Sequence, residues 1–225
     1  MQAQQIQTMQ ELGAKGQILG ALWDTYFTAA FFIHGHVCGG MPLGFRAGVL
    51  ALKTLGMERE LNMGKLVFIE TGTGHAAGCV ADGVQMATGC TFGKGLIERT
   101  QYGKFAFTLV DKATSKAVRV SVRPKIMQAS FQSPFVQQRR AGVAPTNIPL
   151  EISRPIAEKV IGLTDVELFM ISAVFNYPLP KQPPAAFNLH ICSICGEAVT
   201  ENKVRMKDNK PICIPCSGYG GYIYC

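Results

Sequence analysis

The sequence predicts an α+β protein, with helices packed on a small, mostly antiparallel sheet and a small zinc-binding module at its C-terminal end. Three observations carry that reading. Apolar residues recur at three- and four-residue steps through most of the first 90 positions, the pattern of helices with one buried face. From Lys104 the pattern changes to period two, the mark of half-buried strands. Beyond a proline-rich stretch, two C-x-x-C pairs close the chain. At 225 residues, 48% of them apolar and 16% charged, the chain has the composition of a globular protein that can bury a sizeable core.

The elements follow in order. Across 4–32, Leu12, Ile18, Leu19, Leu22, Trp23, Phe27 and Phe31 keep helical spacing, giving one or two helices that stop at Gly35. Pro42 suits a first helical turn, and Leu43, Ala47, Leu50, Ala51 and Leu55 carry an apolar face to Gly56, a natural C-cap. The run 65–71 (KLVFIET) is a strand, and a glycine-rich turn then leads into a helix over 76–87. FAFTLV and AVRVSV, joined by DKATSK, form a β-hairpin with Arg119 and Arg123 pointing outward. Residues 124–150 contain Pro124, Pro134, Pro145 and Pro149 among mixed polarity, and no element is assigned there. Helical signals return over 155–174, as two short helices broken near Gly162 and Leu163. The stretch NYPLPKQPPAAFN is a stiff linker. The domains are therefore a core over 1–176, a linker over 177–189 and a zinc module over 190–225.

Charge and targeting signals bound the function. The net charge is +7, and 94–160 alone hold twelve Lys/Arg against four Asp/Glu. A solvated basic face accounts for this, and nucleic acid is not favoured as a partner because the tail is nearly neutral: Lys203, Arg205, Lys207 and Lys210 stand against Glu197, Glu201 and Asp208. The N-terminal stretch has no charged region leading into an apolar one, so no secretory signal is expected. The apolar run 18–33 is broken by Asp24 and falls short of the roughly 20 residues a membrane span needs. A cytoplasmic location without membrane contact is the expectation, and there eight cysteines point to metal or redox chemistry.

Two groups of residues carry chemistry. Cys192 and Cys195, then Cys213 and Cys216 seventeen residues further on, have the spacing of a zinc ribbon or treble clef, in which four thiolates surround a structural zinc. The second group is HGHVCGGMPLGFR, with His34, His36 and Cys38 just before a helix N-terminus, where the helix dipole favours a thiolate. It gains His75 and Cys79, one helical turn apart, and then Cys90. The expected ligand set is His36, Cys38 and Cys79, with His34, His75 and Cys90 in reserve. It would hold a second zinc or another transition metal and leave one position open for water or substrate. His36 and Cys38 are then the candidate reactive residues, and Asp82 or His75 the candidate base. Gly72-Thr-Gly74 after a strand imitates a dinucleotide fingerprint, but no second strand ends in an acid at the needed distance. The segment 89–95 is one residue short of a phosphate loop and has Gly95 where Ser or Thr should bind magnesium.

HGHVCGGMPLGFR, CVADGVQMATGCTFGKG and QYGKFAFTL together resemble the FmdE-like family of formylmethanofuran dehydrogenase proteins, over roughly 34–122. The family pattern falls here on His34, His36, Cys38, Gly44, Arg46, Cys79, Asp82, Gly89, Cys90, Thr91, Gly93 and Lys94. The cysteine-rich tail is similar to the zinc module that many members append. Three positions depart from the pattern: Gly39 where proline is usual, Gly83 where alanine is, and Gln101 where an aspartate precedes Tyr-Gly-Lys. The resemblance implies an α+β core that pairs into a homodimer. It also implies a metal-binding accessory or subunit protein of anaerobic C1 or redox metabolism, tied to a larger molybdenum or tungsten oxidoreductase acting on a formylated carrier. Two other readings stand beside it: a stand-alone metalloenzyme using metal-bound water, and a nucleic-acid regulator built on the zinc module.

Overall fold

The computed structural model describes residues 2–20, 23–59, 63–73, 78–179, 181 and 185–218, so Leu22, His75 and Cys225 lie outside the described residues. The chain divides into two compact units, Met1–Leu179 and Pro180–Cys225. Among the described residues no helix is long and apolar enough to cross a membrane.

The first unit opens with α1 (Gln2–Ala14), a 3-10 turn (Lys15–Leu19), α2 (Trp23–His34) and α3 (Gly40–Leu55). β1 (Lys65–Ile69), α4 (Gly78–Thr88), β2 (Ile97–Arg99), β3 (Ala106–Asp111) and β4 (Lys116–Val122) follow. Then come α5 (Pro124–Phe131), α6 (Pro134–Arg140), α7 (Leu150–Gly162), α8 (Asp165–Leu168), β5 (Phe169–Ile171) and β6 (Phe175–Asn176). The sheet order is β2-β1-β3-β4-β5, with β6 also on β4, and every pairing is antiparallel except β1 with β2.

α3 is the centre of the unit: every residue from Met41 to Val49 is buried, Arg46 included, and only its last turn reaches the surface. Leu43, Ala47 and Ala51 turn one stripe to the sheet, against Val67, Leu109 and Val118. Met41, Phe45 and Val49 turn the opposite stripe to α1 and α2, where Phe27 and Phe31 pack. α3 crosses α4 at backbone contact, which only glycine permits: a Cβ on Gly44 would lie 2.0 Å from the Val80 carbonyl oxygen, and one on Gly83 2.2 Å from that of Met41. The crossing fixes the start of α4 beside the start of α3.

Arg46, almost fully buried, ties α3 to the end of α7. Its Nη1 donates to the carbonyl of Val160 at 2.8 Å and to those of Ile161 and Leu163, while Nη2 pairs with Asp165 at 2.6 Å. The last carbonyls of a helix have no partner within it, and the guanidinium supplies one.

Three expectations change. Residues 124–150 hold α5 and α6, each opened by a proline at its first turn, where the missing N–H costs nothing, and Ser133 caps α6 through its hydroxyl to the Val136 N–H. α7 begins at Leu150 with Pro155 inside it, not at Pro155. The helical signal of 163–174 gives one turn, α8, set by a Thr164–Glu167 capping box, after which Phe169–Ile171 pairs with β4 as strand β5. There the β4 edge decides against helical spacing. Of the outward arginines, Arg119 is half-buried and forked onto Glu70, at 2.5 and 2.7 Å.

The second unit has two short hairpins and one helical turn: β7 (Leu189–Ile191) with β8 (Ala198–Thr200), β9 (Arg205–Lys207) with β10 (Lys210–Ile212), and α9 (Ile214–Ser217). Asp208 and Asn209 both take positive φ in the β9–β10 turn, which matches the twist of a two-residue hairpin. Among its described residues the buried core is Cys192, Ile212 and Cys213.

Candidate metal centre

The end of α2 sets the core cluster. Gly35, at φ +83, accepts the left-handed turn after His34, and its N–H closes on the Phe31 carbonyl at 2.9 Å. The chain reverses there, so the rings of His34 and His36 come within 4.1 Å of each other, centroid to centroid. Cys38 follows in a buried position before α3, where the Met41 and Gly40 N–H groups face its sulfur. The glycine crossing then brings in Cys79, the second residue of α4; a Cβ on Gly40 would lie 2.8 Å from the Cys79 Cβ.

His34, His36, Cys38 and Cys79 thus place four donor atoms within 4.8 Å of one another. The separations His34 Nε2···His36 Nε2, 3.2 Å, and Cys38 Sγ···His34 Nε2, 3.4 Å, are those of a tetrahedron's edges. Bonds of about 2.0 Å to nitrogen and 2.3 Å to sulfur give edges of about 3.3 Å and 3.5 Å. Two thiolates with two imidazoles suit zinc and its soft neighbours. The cluster brings together all three expected ligands and adds His34, held in reserve at the sequence level.

Asp82 stands behind the cluster. Its carboxylate meets His34 Nδ1 at 2.8 Å, leaving Nε2 aimed inward, the arrangement that orients a metal-binding histidine. Burial alone would lower the His34 pKa, but hydrogen bonds to Asp82 and Cys79 outweigh it and raise it to about 9. Cys79 is held low, chiefly by a hydrogen bond from Cys38 and then by the two histidines, while Cys38 is pushed up by that same bond and by burial. These shifts favour a proton on His34 and on Cys38 over one on Cys79, and a metal binding the four donors would displace such protons. Cys90 is elsewhere: it is buried in the sheet-side core, its N–H on the Thr88 hydroxyl.

A cavity of about 270 Å³ reaches His36, Cys38 and Cys79, roofed by α5 and α6 with Phe131 and Phe135. Phe135 lies parallel to the His36 ring, 6.4 Å away. These roof residues fall in the stretch given no elements from the sequence, although Pro124, and Ser133 followed by Pro134, are helix-start signals that could have revealed it.

In the tail unit, Cys192, Cys195, Cys213 and Cys216 place four sulfurs within 4.8 Å of one another. The Cys195···Cys213 separation is 3.9 Å, close to the edge of about 3.8 Å expected around zinc. Backbone N–H groups, that of Cys195 foremost, pull the Cys192 thiol down to about 6, and the Cys216 N–H donates to Cys213 Sγ at 3.3 Å. Cys216 is disulfide-bonded in the structure, so it joins this set as a ligand only when reduced.

The family model described as FmdE, molybdenum formylmethanofuran dehydrogenase operon, matches residues 33–170. The chain belongs to the FmdE family. The matched stretch contains all four core donors and Asp82, and it ends before the tail cysteines. A curated relative, described as a probable S-adenosyl-L-methionine-binding protein from Archaeoglobus fulgidus, is 29% identical over 196 residues, 82% of this chain and 50% of its own length. The chain therefore spans about half the length of that relative. Among solved structures, an FmdE-like protein of the tungsten formylmethanofuran dehydrogenase type, from Syntrophus aciditrophicus, superposes with a TM-score of 0.56 at 22% identity, covering 89% of this chain and 94% of that one. This chain shares the fold of that protein.

Proposed function

We propose that this chain is a metal-binding accessory or subunit protein of a larger molybdenum- or tungsten-dependent oxidoreductase, with one metal ion in the core and a structural zinc in the tail. The observation that carries the core site is the convergence of donor atoms from His34, His36, Cys38 and Cys79 within 4.8 Å of one another, with His36, Cys38 and Cys79 lining a cavity. Zinc suits this donor set best, with His34 oriented by Asp82. The tail zinc is supported by a core of three residues, too small to hold two hairpins, whereas a structural zinc contributes roughly 10–16 kcal/mol in small finger peptides. Family membership supports the link to an oxidoreductase, and pairing into a homodimer is part of the same proposal.

Metal content per full-length chain tests the centre. Two ions are expected in the reduced protein and one in Cys38→Ser; one ion in both would reject the core site. Affinity purification from the source organism tests the role: stoichiometric molybdenum or tungsten in the isolated complex is expected, and a clean homodimer with neither would count against it. The cavity favours a second reading, a stand-alone metalloenzyme, in which His36 and Cys38 face the reacting molecule directly and Asp82 acts through His34 rather than as a base.

A further inference from the structure

We propose that the cavity above the core cluster binds a small anionic thiol, and that His36 is the donor that yields its place to it. The proposal rests on the core cluster holding a metal.

The two histidines are held differently. His34 Nδ1 is fixed on the Asp82 carboxylate at 2.8 Å, whereas the polar contacts of His36 stay inside the cluster, to His34 Nε2 at 3.2 Å and to Cys79. A metal-binding imidazole is normally locked by an oxygen on its second nitrogen, and among the described residues His36 has no such oxygen. Among the described residues, the ring beside it other than His34 is that of Phe135, parallel at 6.4 Å. The cavity also distinguishes the donors, since His36, Cys38 and Cys79 line it and His34 does not. Of the two histidines, His36 is the less restrained and the one open to an incoming molecule.

The lining specifies what enters. Phe105, Phe131, Phe135, Val136 and Ile156 make the walls apolar, and Arg139, itself exposed to solvent, is the one fixed charge among the described lining residues, which include no carboxylate. Arg139 spends one N–H on the Val143 carbonyl and makes no ion pair among the described residues. An apolar chamber with one guanidinium favours a short apolar body bearing one negative charge. A volume of about 270 Å³, against roughly 30 Å³ for a water molecule, limits that body to about ten heavy atoms. The donor set is half thiolate, so sulfur is the head group its metal prefers. With a metal in the cluster, a bond to the thiolate sulfur would replace the bond to the His36 nitrogen; the thiol proton would leave to the buffer and His36 would be released as neutral imidazole.

The test uses the full-length, metal-loaded protein and three probes: 3-mercaptopropionate, propionate and 2-mercaptoethylamine. Calorimetry on the zinc form should give one 3-mercaptopropionate per chain, with each of the other two at least tenfold weaker. Cobalt-loaded protein should gain thiolate-to-metal absorption on adding 3-mercaptopropionate, with metal content unchanged. Phe131→Trp, or Val136→Trp if the first does not fold, should weaken binding at least tenfold while keeping the metal. His36→Ala should keep the metal and bind the thiol at least as tightly as the parent. With metal present in the core, an unaltered cobalt spectrum, unchanged binding in the cavity-filled variants, stripping of the metal by the thiol, or loss of metal in His36→Ala would each overturn the proposal alone. A parent protein with no core metal would overturn the metal reading and this proposal together.

Discussion

Gly83 is where one hydrogen atom decides how close two helices lie. A methyl group there would meet the Met41 carbonyl oxygen at 2.2 Å and the Phe45 nitrogen at 2.4 Å, both backbone atoms that cannot swing aside. Gly83→Ala should therefore cost about 2 kcal/mol in urea unfolding, the cost of overpacking a rigid crossing. It should also displace Cys79 from the cluster, read as loss of core metal at a fixed chelator concentration. Asp82 acts at the same scale through a single hydrogen bond. Asp82→Ala removes the group that orients His34, and should weaken core metal affinity roughly 10- to 100-fold in chelator competition without changing metal binding by the tail cysteines. An unchanged affinity would mean that His34 is not a ligand.

Among the elements, α3 has the most to lose, since it carries Arg46 as well as the glycine crossing. Arg46→Met keeps most of the side-chain bulk but strips the shared donor from the carbonyls at the end of α7 and leaves Asp165 without its partner. Destabilisation of about 3 kcal/mol is expected, the range for breaking a buried charged network, with lost amide protection at the end of α7 as its local sign. α3, α4 and the β3–β4 hairpin were legible because their apolar residues repeat at the period of the element. α5 and α6 were not, because none of their residues is fully buried and their apolar stripes are short. β5 leaves no signal for a related reason: three residues are too few to show a period, and pairing with β4 sets their conformation.

The whole molecule is two units of unequal means, one with a two-layered core around α3 and one with a core of three residues. Their responses to metal removal should differ accordingly. Mild chelation, or Cys213→Ser, should expose the amides of β7 to β10 to hydrogen exchange while those of α3 and the central strands keep their protection. Equal loss in both units would show that they fold as one. Composition and spacing settled much at this scale before any coordinates. The α+β class and the four tail cysteines follow from short-range periods and from a spacing that the chemistry of zinc imposes on sequence. His36, Cys38 and Cys79 could also be nominated that way, because their residue types are rare and close in the chain. Only the tertiary structure brought His34 into the same tetrahedron, put Asp82 behind it, and raised α5 and α6 over the opening. Those relations join residues tens of positions apart in the chain. They depend on how closely two glycine-bearing helices approach and on where an arginine anchors a helix end, and neither leaves a local period in the sequence.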